Sequence, residues 1–244
     1  KAVASMVTTG GILADIGTDH AYVPIALVQR QKIKGAIAMD INEGPLARAQ
    51  EHIRAARLEE YIQTRLSDGA EALLPNEADS ILIAGMGGEL ILHILTEGES
   101  VCSTAKELIL QPQSEIHKVR EYLRQHQYKI EDEDMVCEEG KYYPMMRVHY
   151  QAEKNEDADK TIKDMENSKE QKKSRYKVEC LYGRYLLMEK NPVLHQYLVK
   201  ERQVFENILD NLFKQPESEK IAVRMEEVKE ALGYNEAALA YYRT

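Results

Sequence analysis

Cysteine is scarce in this 244-residue chain, which has only Cys102, Cys137 and Cys180, far apart in the sequence. Their odd number and wide spacing exclude a disulfide framework and a zinc site, so we expect a cytoplasmic protein with isolated reduced thiols and no bound metal. No apolar run approaches the roughly 20 residues that cross a bilayer, and the first residues lack the pattern of a secretory signal. We therefore expect no membrane partner; the sequence leaves the oligomeric state open, with a monomer favoured.

Positive charge is also in short supply. The chain carries 32 Lys and Arg against 41 Asp and Glu, a formal net charge of −9, which by itself disfavours nucleic acid because phosphate contacts need cations. The charges are segregated, however: residues 1–150 hold 15 basic and 23 acidic side chains, whereas residues 160–202 hold 11 basic and 6 acidic. This distribution is typical of a polyanion-binding segment joined to an acidic body. The alternative interpretation is the ordinary solvated face of a helix.

The first part of the chain, residues 1–151, predicts a doubly wound α/β domain. Short apolar runs alternate with amphipathic stretches, as in a parallel sheet covered by helices on both faces. The last two runs flank a turn at Glu139–Gly140 and predict an antiparallel end to the sheet. The expected strands are 11–16, 35–41, 62–66, 80–84, 107–111, 128–136 and 142–150, and the expected helices are 21–31, 45–57, 89–95 and 115–126.

The second part, residues 152–244, lacks the strand pattern and predicts a helical domain. Apolar residues recur at helical spacing over 153–190, Asn191–Pro192 interrupts the run, and another helix is expected over 193–214. Two long amphipathic helices separated by so tight a break should pair as an antiparallel coiled-coil hairpin. The remaining expected boundaries are the end of the second helix at Pro216, a third helix over 219–232 ending at Gly233, and a short helix over 235–242.

The first strand ends in a turn with unusual chemistry. Asp15 precedes Gly17, which lets the backbone approach a ligand closely, at the sheet edge where doubly wound folds bind ligands. A dinucleotide fingerprint needs three glycines, but Asp19 and Ala21 stand at later positions of this turn, so a pyrophosphate cradle is poorly supported. Acidic side chains suit a cationic ligand such as S-adenosylmethionine, with its ammonium and sulfonium. Asp19 is expected to cap the following helix as well as line the site.

The next strand ends carry groups that fit a nucleoside. Asp40 ends the second strand about 20 residues after the glycine turn, where a carboxylate binds a ribose diol. Asp68 can accept a hydrogen bond from an adenine amine, although an ordinary Asp-Gly turn is the alternative. The fourth strand leads into Gly85–Gly88, with three glycines in four residues, which marks a close approach of the backbone to another group. The fifth strand ends at Gln111, which places amide groups beside that segment.

A family resemblance is carried by ordered segments: ADIGTDHAYVP, AMDINEGP, RLSDGAEAL, IAGMGG, LILQPQ, EEGKYYPMMRV and the helical YGRYLLMEKNPVLHQYL. Together they resemble the bacterial tRNA adenine-22 N1-methyltransferases over essentially the whole chain. The resemblance implies a Rossmann-like class I methyltransferase fold with a C-terminal coiled coil, S-adenosylmethionine as donor and tRNA as substrate. Two features depart from class I enzymes at large and resemble this family's own pattern. Asp19 replaces a glycine, and Ala84-Gly85-Met86-Gly87 replaces Asn-Pro-Pro-Tyr.

Candidate residues can be assigned on this basis. The methyl donor is expected to contact Asp15, Gly17, Asp19, His20, Asp40, Ile41, Ser67, Asp68, Gly69, Ala84 and Gly85. The target-base pocket is expected to be formed by Gly85, Met86, Gly87, Gly88, Gln111 and Pro112. No general base is assigned, because His20 fits a structural or ligand-positioning role better than that of a proton carrier. The candidates for RNA contact are Tyr22 and Tyr142, each of which also fits a core or rim position, the basic Lys172, Lys173 and Arg175, and further Arg30, Lys32 and Lys34.

Three rival functions stay open on the sequence. A methyltransferase for a small molecule or a protein would share the motifs of the sheet, but the basic helical segment counts against it. A catalytically silent S-adenosylmethionine-binding module could use the coiled coil for interaction, but the complete acidic set argues for a working donor site. A nicotinamide oxidoreductase would share the architecture, but Asp19 in the glycine turn disfavours it.

Overall fold

The computed structural model describes residues 2–152, 169–216 and 218–243, with the side chains of 169–172 left out. The chain divides into two compact units. Residues 2–133 and 143–152 form the first, and residues 134–142 group with the C-terminal helices in the second. The tip of the last hairpin therefore belongs with the helical part, which the sequence did not indicate. A boundary between residues 151 and 152 stays a prediction, and most of the helix expected over 153–190 lies outside the described residues.

A seven-stranded sheet forms the centre of the first unit, and it confirms the predicted Rossmann-like class. The strands follow the order β3-β2-β1-β4-β5-β7-β6. Strands β1 to β5 are parallel to one another, and β7 runs antiparallel to β5. The bounds are β1 (Ile12–Ile16), β2 (Gly35–Asp40), β3 (Ile62–Leu66), β4 (Ser80–Met86), β5 (Glu107–Pro112), β6 (Tyr128–Glu138) and β7 (Lys141–Tyr150).

Helices cover the sheet because its central strands are apolar on both faces. Ile81 and Ile83 of β4, two residues apart, point to the same face and pack with Ile91 and Leu95 in one buried cluster. Burying each such side chain contributes about 1.5–3 kcal/mol, so this layer positions the strand ends firmly. The helices of this unit are α1 (Ala2–Met6), α2 (Tyr22–Gln29), α3 (Glu43–Ala55), α4 (Gly88–Glu97), α5 (Glu99–Cys102) and α6 (Ile116–Gln125).

The second unit contains α7 (Lys169–Tyr182), α8 (Arg184–Met188), α9 (Pro192–Phe213) and α10 (Glu219–Ala240). The Asn191–Pro192 break is also the start of α9. The Asn191 side chain accepts hydrogen bonds from the backbone amides of Val193 (2.9 Å) and Leu194 (3.1 Å), and proline suits the first helical turn, which needs no amide donor. A small core unites these helices through Val178, Leu186, Leu187, Leu194, Leu198, Ala238 and Leu239.

Two details of the helical prediction are wrong. The helix expected before Asn191 is interrupted at Gly183, whose φ of +90° is incompatible with a helix and is readily adopted only by glycine. Gly233 does not end a helix, because α10 continues to Ala240, where packing outweighs the modest cost of an internal glycine. α9 also pairs with α10, since Asn235 Nδ2 donates to Leu198 O at 3.0 Å, and the chain turns between these two helices near Pro216. The coiled-coil hairpin expected around Asn191–Pro192 stays a prediction, because most of its first helix lies outside the described residues.

Candidate functional site

The residues predicted for the donor site gather at one edge of the sheet. Asp15 is in register with Ala38 of β2 and Leu82 of β4, and Asp40 is in register with Leu66 of β3. Since parallel strands place their carboxyl ends at the same edge, the segments that follow all five strands adjoin one another. The structure thus brings together residues 15–20, 40–41, 67–69, 84–88 and 111–112.

The turn after β1 is held against β2 and covered by Met86, the last residue of β4. The amides of Gly17 and Thr18 both donate to Met39 O at 2.8 Å. Gly17 has a φ of +79°, and a Cβ on it would lie 2.0 Å from Cε of Met86. Glycine is therefore required twice here, by the backbone conformation and by the space that the Met86 side chain fills.

Asp15 is a buried carboxyl group at the end of β1, with only 8% of its surface exposed. Thr18 Oγ1 donates a hydrogen bond to its Oδ2 at 2.7 Å. Burial raises the pKa of Asp15 to about 6, and the hydrogen bond from Thr18 opposes the shift. A cation bound at this edge would favour the ionised form, which is the behaviour expected of a residue that faces an ammonium group.

Asp19 does not cap α2, contrary to the sequence expectation. Its carboxylate is bound instead by Arg48, through Nη2 at 2.5 Å and Nε at 3.2 Å, and this hydrogen bonding lowers the pKa of Asp19. Ala21, in a left-handed conformation with φ of +53°, precedes the helix, and no side chain caps it. Asp19 Oδ2 also lies 3.1 Å from His20 Nε2, so Asp19 orients that ring.

Three aromatic rings meet beside this turn. The ring centroids of His20 and Tyr22 lie 4.9 Å apart, those of Tyr22 and His52 5.2 Å, and those of His20 and His52 5.1 Å, with interplanar angles of 16°, 19° and 29°. His52 Nδ1 donates to the carbonyl oxygen of His20 at 3.2 Å. Sequence reasoning missed His52, because it comes from α3 and only the packing of α3 brings it here.

The ends of β2 and β3 offer a carboxylate flanked by exposed apolar side chains. Asp40 Oδ1 accepts a hydrogen bond from the amide of Asn42 at 2.8 Å. Ile41 and Leu66 are both more than half exposed, at 57% and 53%. Apolar surface beside a diol-binding carboxylate suits the flat ring of a nucleoside. Leu66 was not among the predicted site residues, because its exposure could not be read from an apolar strand pattern.

The turn after β3 is shaped by its own polar groups. Ser67 is buried; its Oγ donates to Gly69 O and accepts from the amide of Ala72, both at 3.0 Å. Gly69 has a φ of +52°, as its place in the turn requires. Asp68 is exposed on this turn. Ser67 and Gly69 are thus explained by the turn itself, whereas the carboxylate of Asp68 is open to solvent and its contact with a ligand stays a prediction.

The last residues of β4 are distorted by a register shift between Ala84 and Met86. Gly85 has a φ of +77°, and its amide donates to Oε1 of the buried Gln111 at 3.0 Å. A Cβ on Gly88 would lie 2.6 Å from Ser114 O. Gly88 and Gln111 thus support the β-bulge formed at this register shift. Their participation in a target-base pocket with Gly87 and Pro112 stays a prediction.

The basic side chains proposed for RNA contact lie in different places. Lys173 is exposed on α7, Arg175 Nε is bound to Glu179 at 3.0 Å, and the side chain of Lys172 lies outside the described residues. Arg30, Lys32 and Lys34 fall between α2 and β2, at the amino edge of the sheet and away from the predicted site. Lys32 Nζ is already occupied by the carbonyls of residues 4 and 5.

Tyr142 lies near the start of β7 and belongs to the second unit, whereas the residues of the predicted donor site belong to the first. Its ring meets that of Tyr197 edge-on at 5.1 Å, and Lys200 Nζ lies 5.7 Å from its centroid. These contacts account for Tyr142 by packing, the alternative that the sequence left open, and its contact with RNA stays a prediction. Across the described parts of the chain, no group of three or more His, Cys, Asp or Glu could hold a metal ion, and no helix is long and apolar enough to cross a bilayer.

Comparison with known proteins agrees with this geometry. Residues 1–146 match the family model described as a methyltransferase domain. The tRNA (adenine(22)-N(1))-methyltransferase of Bacillus subtilis (strain 168) is 33% identical over 241 residues, which are 96% of this chain and 95% of that protein. The solved B. subtilis M1A22 tRNA methyltransferase TrmK is 31% identical, with a TM-score of 0.80 over 98% of this chain and 96% of that one.

A third relative was solved with a ligand. The structure of M. capricolum TrmK in complex with S-adenosyl-homocysteine is 26% identical, with a TM-score of 0.76 over 98% of this chain and 96% of that one. The similarity thus includes both the sheet and the C-terminal helices. Sequence identity above 30% along nearly the full length of the B. subtilis enzyme shows that this chain belongs to the family of tRNA (adenine(22)-N1)-methyltransferases.

Proposed function

We propose that this protein transfers the methyl group of S-adenosylmethionine to N1 of adenine 22 in tRNA. The observation that carries the proposal is the acidic edge of the sheet, where buried Asp15 and partly exposed Asp40 lie at the carboxyl ends of neighbouring strands beside the Gly17 turn. A pair of carboxylates so placed fits a ligand with an ammonium at one end and a ribose diol further along. A tRNA substrate also places the enzyme in the cytoplasm.

The donor would lie along the ends of β1, β2 and β3. Asp15 would attract its ammonium, and the Gly17 turn would let the backbone approach its methionine part. Asp40 would bind the ribose hydroxyls through the carboxylate oxygen that the Asn42 amide leaves open. Ile41 and Leu66 would cover the adenine, and Asp68 would accept from its amine.

The chain's own residues have little proton chemistry to perform. S-adenosylmethionine supplies an electrophilic methyl group: the N1 lone pair forms the new C–N bond as the C–S bond breaks and sulfur keeps the electron pair. Because that lone pair lies in the ring plane and is not delocalised, no strong base is needed to activate it. The protein's task is alignment, for which the bulge held by Gly85 and Gln111 provides a rigid wall. Carbonyl or carboxylate groups nearby would stabilise the positive charge that develops on the adenine.

Reaching the base requires a wide contact with folded RNA. Position 22 lies in a folded part of tRNA, so the adenine has to leave its stack before N1 can be aligned. The basic segment 160–202 offers cations for phosphate contacts, with Lys172, Lys173 and Arg175 as the proposed contact residues. Arg175 already pairs with Glu179, whose side chain is only 9% exposed, so giving up this pair for a phosphate would carry the cost of leaving a buried carboxylate without that partner.

Tritium transfer from labelled S-adenosylmethionine to unmodified tRNA tests the activity. Label is expected with adenine at position 22, absent with guanine there, absent in Asp40→Ala, and located in 1-methyladenine. Absence of label while adenosylhomocysteine still raises the melting temperature would contradict the RNA substrate and favour a small-molecule or protein methyltransferase. A rise with NAD instead of adenosylhomocysteine would contradict the donor as well.

Charge reversal tests the basic segment. Changing Lys172, Lys173 and Arg175 together to Glu is expected to weaken tRNA binding and to reduce the dependence of affinity on salt, by about one unit of slope for each phosphate that the protein no longer neutralises. Lys106→Glu, on an exposed side chain just before β5, is the control and should change neither. Unaltered affinity and slope in the triple variant would show that this segment does not contact RNA.

A further inference from the structure

The three-ring cluster of His20, Tyr22 and His52 extends beyond the expected donor contacts, because His20 is among them but Tyr22 and His52 are not. It combines nearly parallel aromatic planes with an unusually open ring, since Tyr22 is 64% exposed. A tyrosine this exposed leaves much of its ring surface open to solvent although it stacks on two neighbouring rings. Stacking on nucleobases is the interaction that an exposed aromatic ring offers most strongly, because every base has a flat π surface.

Polar contacts of Asp19 and His52 with His20 fix the cluster in place. Asp19 Oδ2 lies 3.1 Å from His20 Nε2, and His52 Nδ1 donates to the carbonyl of His20. The left-handed Ala21, with φ of +53°, reverses the chain between His20 and Tyr22, which lets two residues so close in sequence place their rings in near-parallel planes. A ring fixed in this way loses little conformational freedom when a ligand stacks on it.

The position of the cluster fits an RNA base. It follows the Gly17 turn directly, and that turn contacts Met86 in the segment expected to face the target adenine. Arg48 lies beside the cluster on α3, the helix that carries His52, and its guanidinium is about half exposed where it pairs with Asp19. An aromatic face next to a cation provides both a stacking surface and a phosphate contact, as single-stranded nucleic-acid sites do.

We infer that Tyr22, supported by His20 and His52, stacks an unpaired base of the tRNA beside the extruded adenine. The inference rests on the proposed function and deepens it, because it names a surface that stabilises the opened RNA next to the donor. Such a contact contributes to RNA affinity and not to donor affinity. It is also insensitive to salt, unlike the phosphate contacts of the basic segment.

Four variants separate stacking from other roles of Tyr22. Tyr22→Phe keeps the ring, Tyr22→Leu keeps apolar bulk without a π face, and Tyr22→Ala removes both. Tyr61→Ala is the matched control, since Tyr61 is 52% exposed but precedes β3 at the opposite edge of the sheet. Each variant is measured for tRNA affinity at several salt concentrations, for KM and kcat in methyl transfer, and for adenosylhomocysteine affinity.

The expected result is a loss of tRNA affinity and a rise in KM of about tenfold in Tyr22→Ala and Tyr22→Leu, with Tyr22→Phe close to the unaltered protein. The salt slope and the adenosylhomocysteine affinity should stay unchanged, and Tyr61→Ala should have no effect. Equal tRNA affinity in Tyr22→Leu and Tyr22→Phe would overturn the inference, and so would a loss confined to adenosylhomocysteine.

Failure of the proposed function is distinguishable in the same measurements. If the unaltered protein binds tRNA without methylating adenine 22, the proposed activity is wrong, and the affinities of the Tyr22 variants still decide whether the base stacks there. If the unaltered protein does not bind tRNA at all, both the function and the stacking surface are overturned.

Discussion

Replacing Asp15 with Asn should stabilise the protein while weakening its donor site. The folded protein holds the Asp15 proton up to a pH of about 6, whereas an exposed carboxyl group releases it near 3.8. The unfolded chain therefore loses this proton first as pH rises, and the folded state loses stability between about pH 4 and pH 6. With a difference of about two pKa units between the folded and unfolded states, Asp15 lowers the free energy of unfolding by about 3 kcal/mol at pH 8 and by about 1 kcal/mol at pH 4.5.

Asp15→Asn avoids this cost because an amide stays neutral, and its oxygen can still accept the hydrogen bond from Thr18. Differential scanning calorimetry of the ligand-free protein should show a melting temperature higher by roughly 6–12 °C at pH 8, and a much smaller gain at pH 4.5. Asp68→Asn, on an exposed carboxylate of the same edge, is the control and should change neither value.

Donor binding should respond in the opposite direction. Without the negative charge facing the ammonium, the Kd for adenosylhomocysteine in Asp15→Asn should rise about tenfold or more at pH 8, as measured by titration calorimetry. In the unaltered protein the same Kd should rise as pH falls below about 6, because Asp15 must release its proton to bind the cation. An Asn variant that is less stable at pH 8, or whose gain is equal at both pH values, would refute the reasoning.

Three further predictions concern the supports of the site and of the sheet. Gly17→Ala should raise the Kd for adenosylhomocysteine more than tenfold, because it adds a methyl group where the Met86 side chain lies. Gly10→Ala is the control for calorimetry, because it has the strain of a positive φ without a steric clash. Gln111→Leu should lower kcat and leave that Kd unchanged, because the bulge amide loses its acceptor; equal kcat would contradict this. Arg120→Met should lower the free energy of unfolding by about 3–5 kcal/mol in chemical denaturation, because it leaves Glu133 charged and buried, and adding Glu133→Leu should recover part of the loss.

Much of the fold follows from local patterns in the sequence. Strands such as β2 and β5 are nearly continuous apolar runs, which only a sheet covered on both faces can bury, and their order along the chain leads to the doubly wound arrangement. Asp15, Gly17 and Asp40 could be placed at one edge from sequence because parallel strands must end together there.

Helix boundaries in the second unit were less predictable. Gly233 resembles a helix end by local preference, yet α10 passes through it because Ala238 and Leu239 beyond it are buried. Gly183 lies in a run of apolar residues at helical spacing, yet the helix is interrupted there between α7 and α8. Local preferences differ by about 1 kcal/mol, which burial of two or three side chains outweighs.

The sequence by itself determined the residue types at each strand end, and with them the class of ligand that the edge can bind. Only the tertiary structure decided which of those residues face outward and which support their neighbours: Gln111 turns inward to the Gly85 amide, Asp19 binds Arg48 instead of capping α2, and His52 joins His20 and Tyr22. The physical reason is that such pairings depend on distances between segments far apart in the chain, which no local pattern encodes.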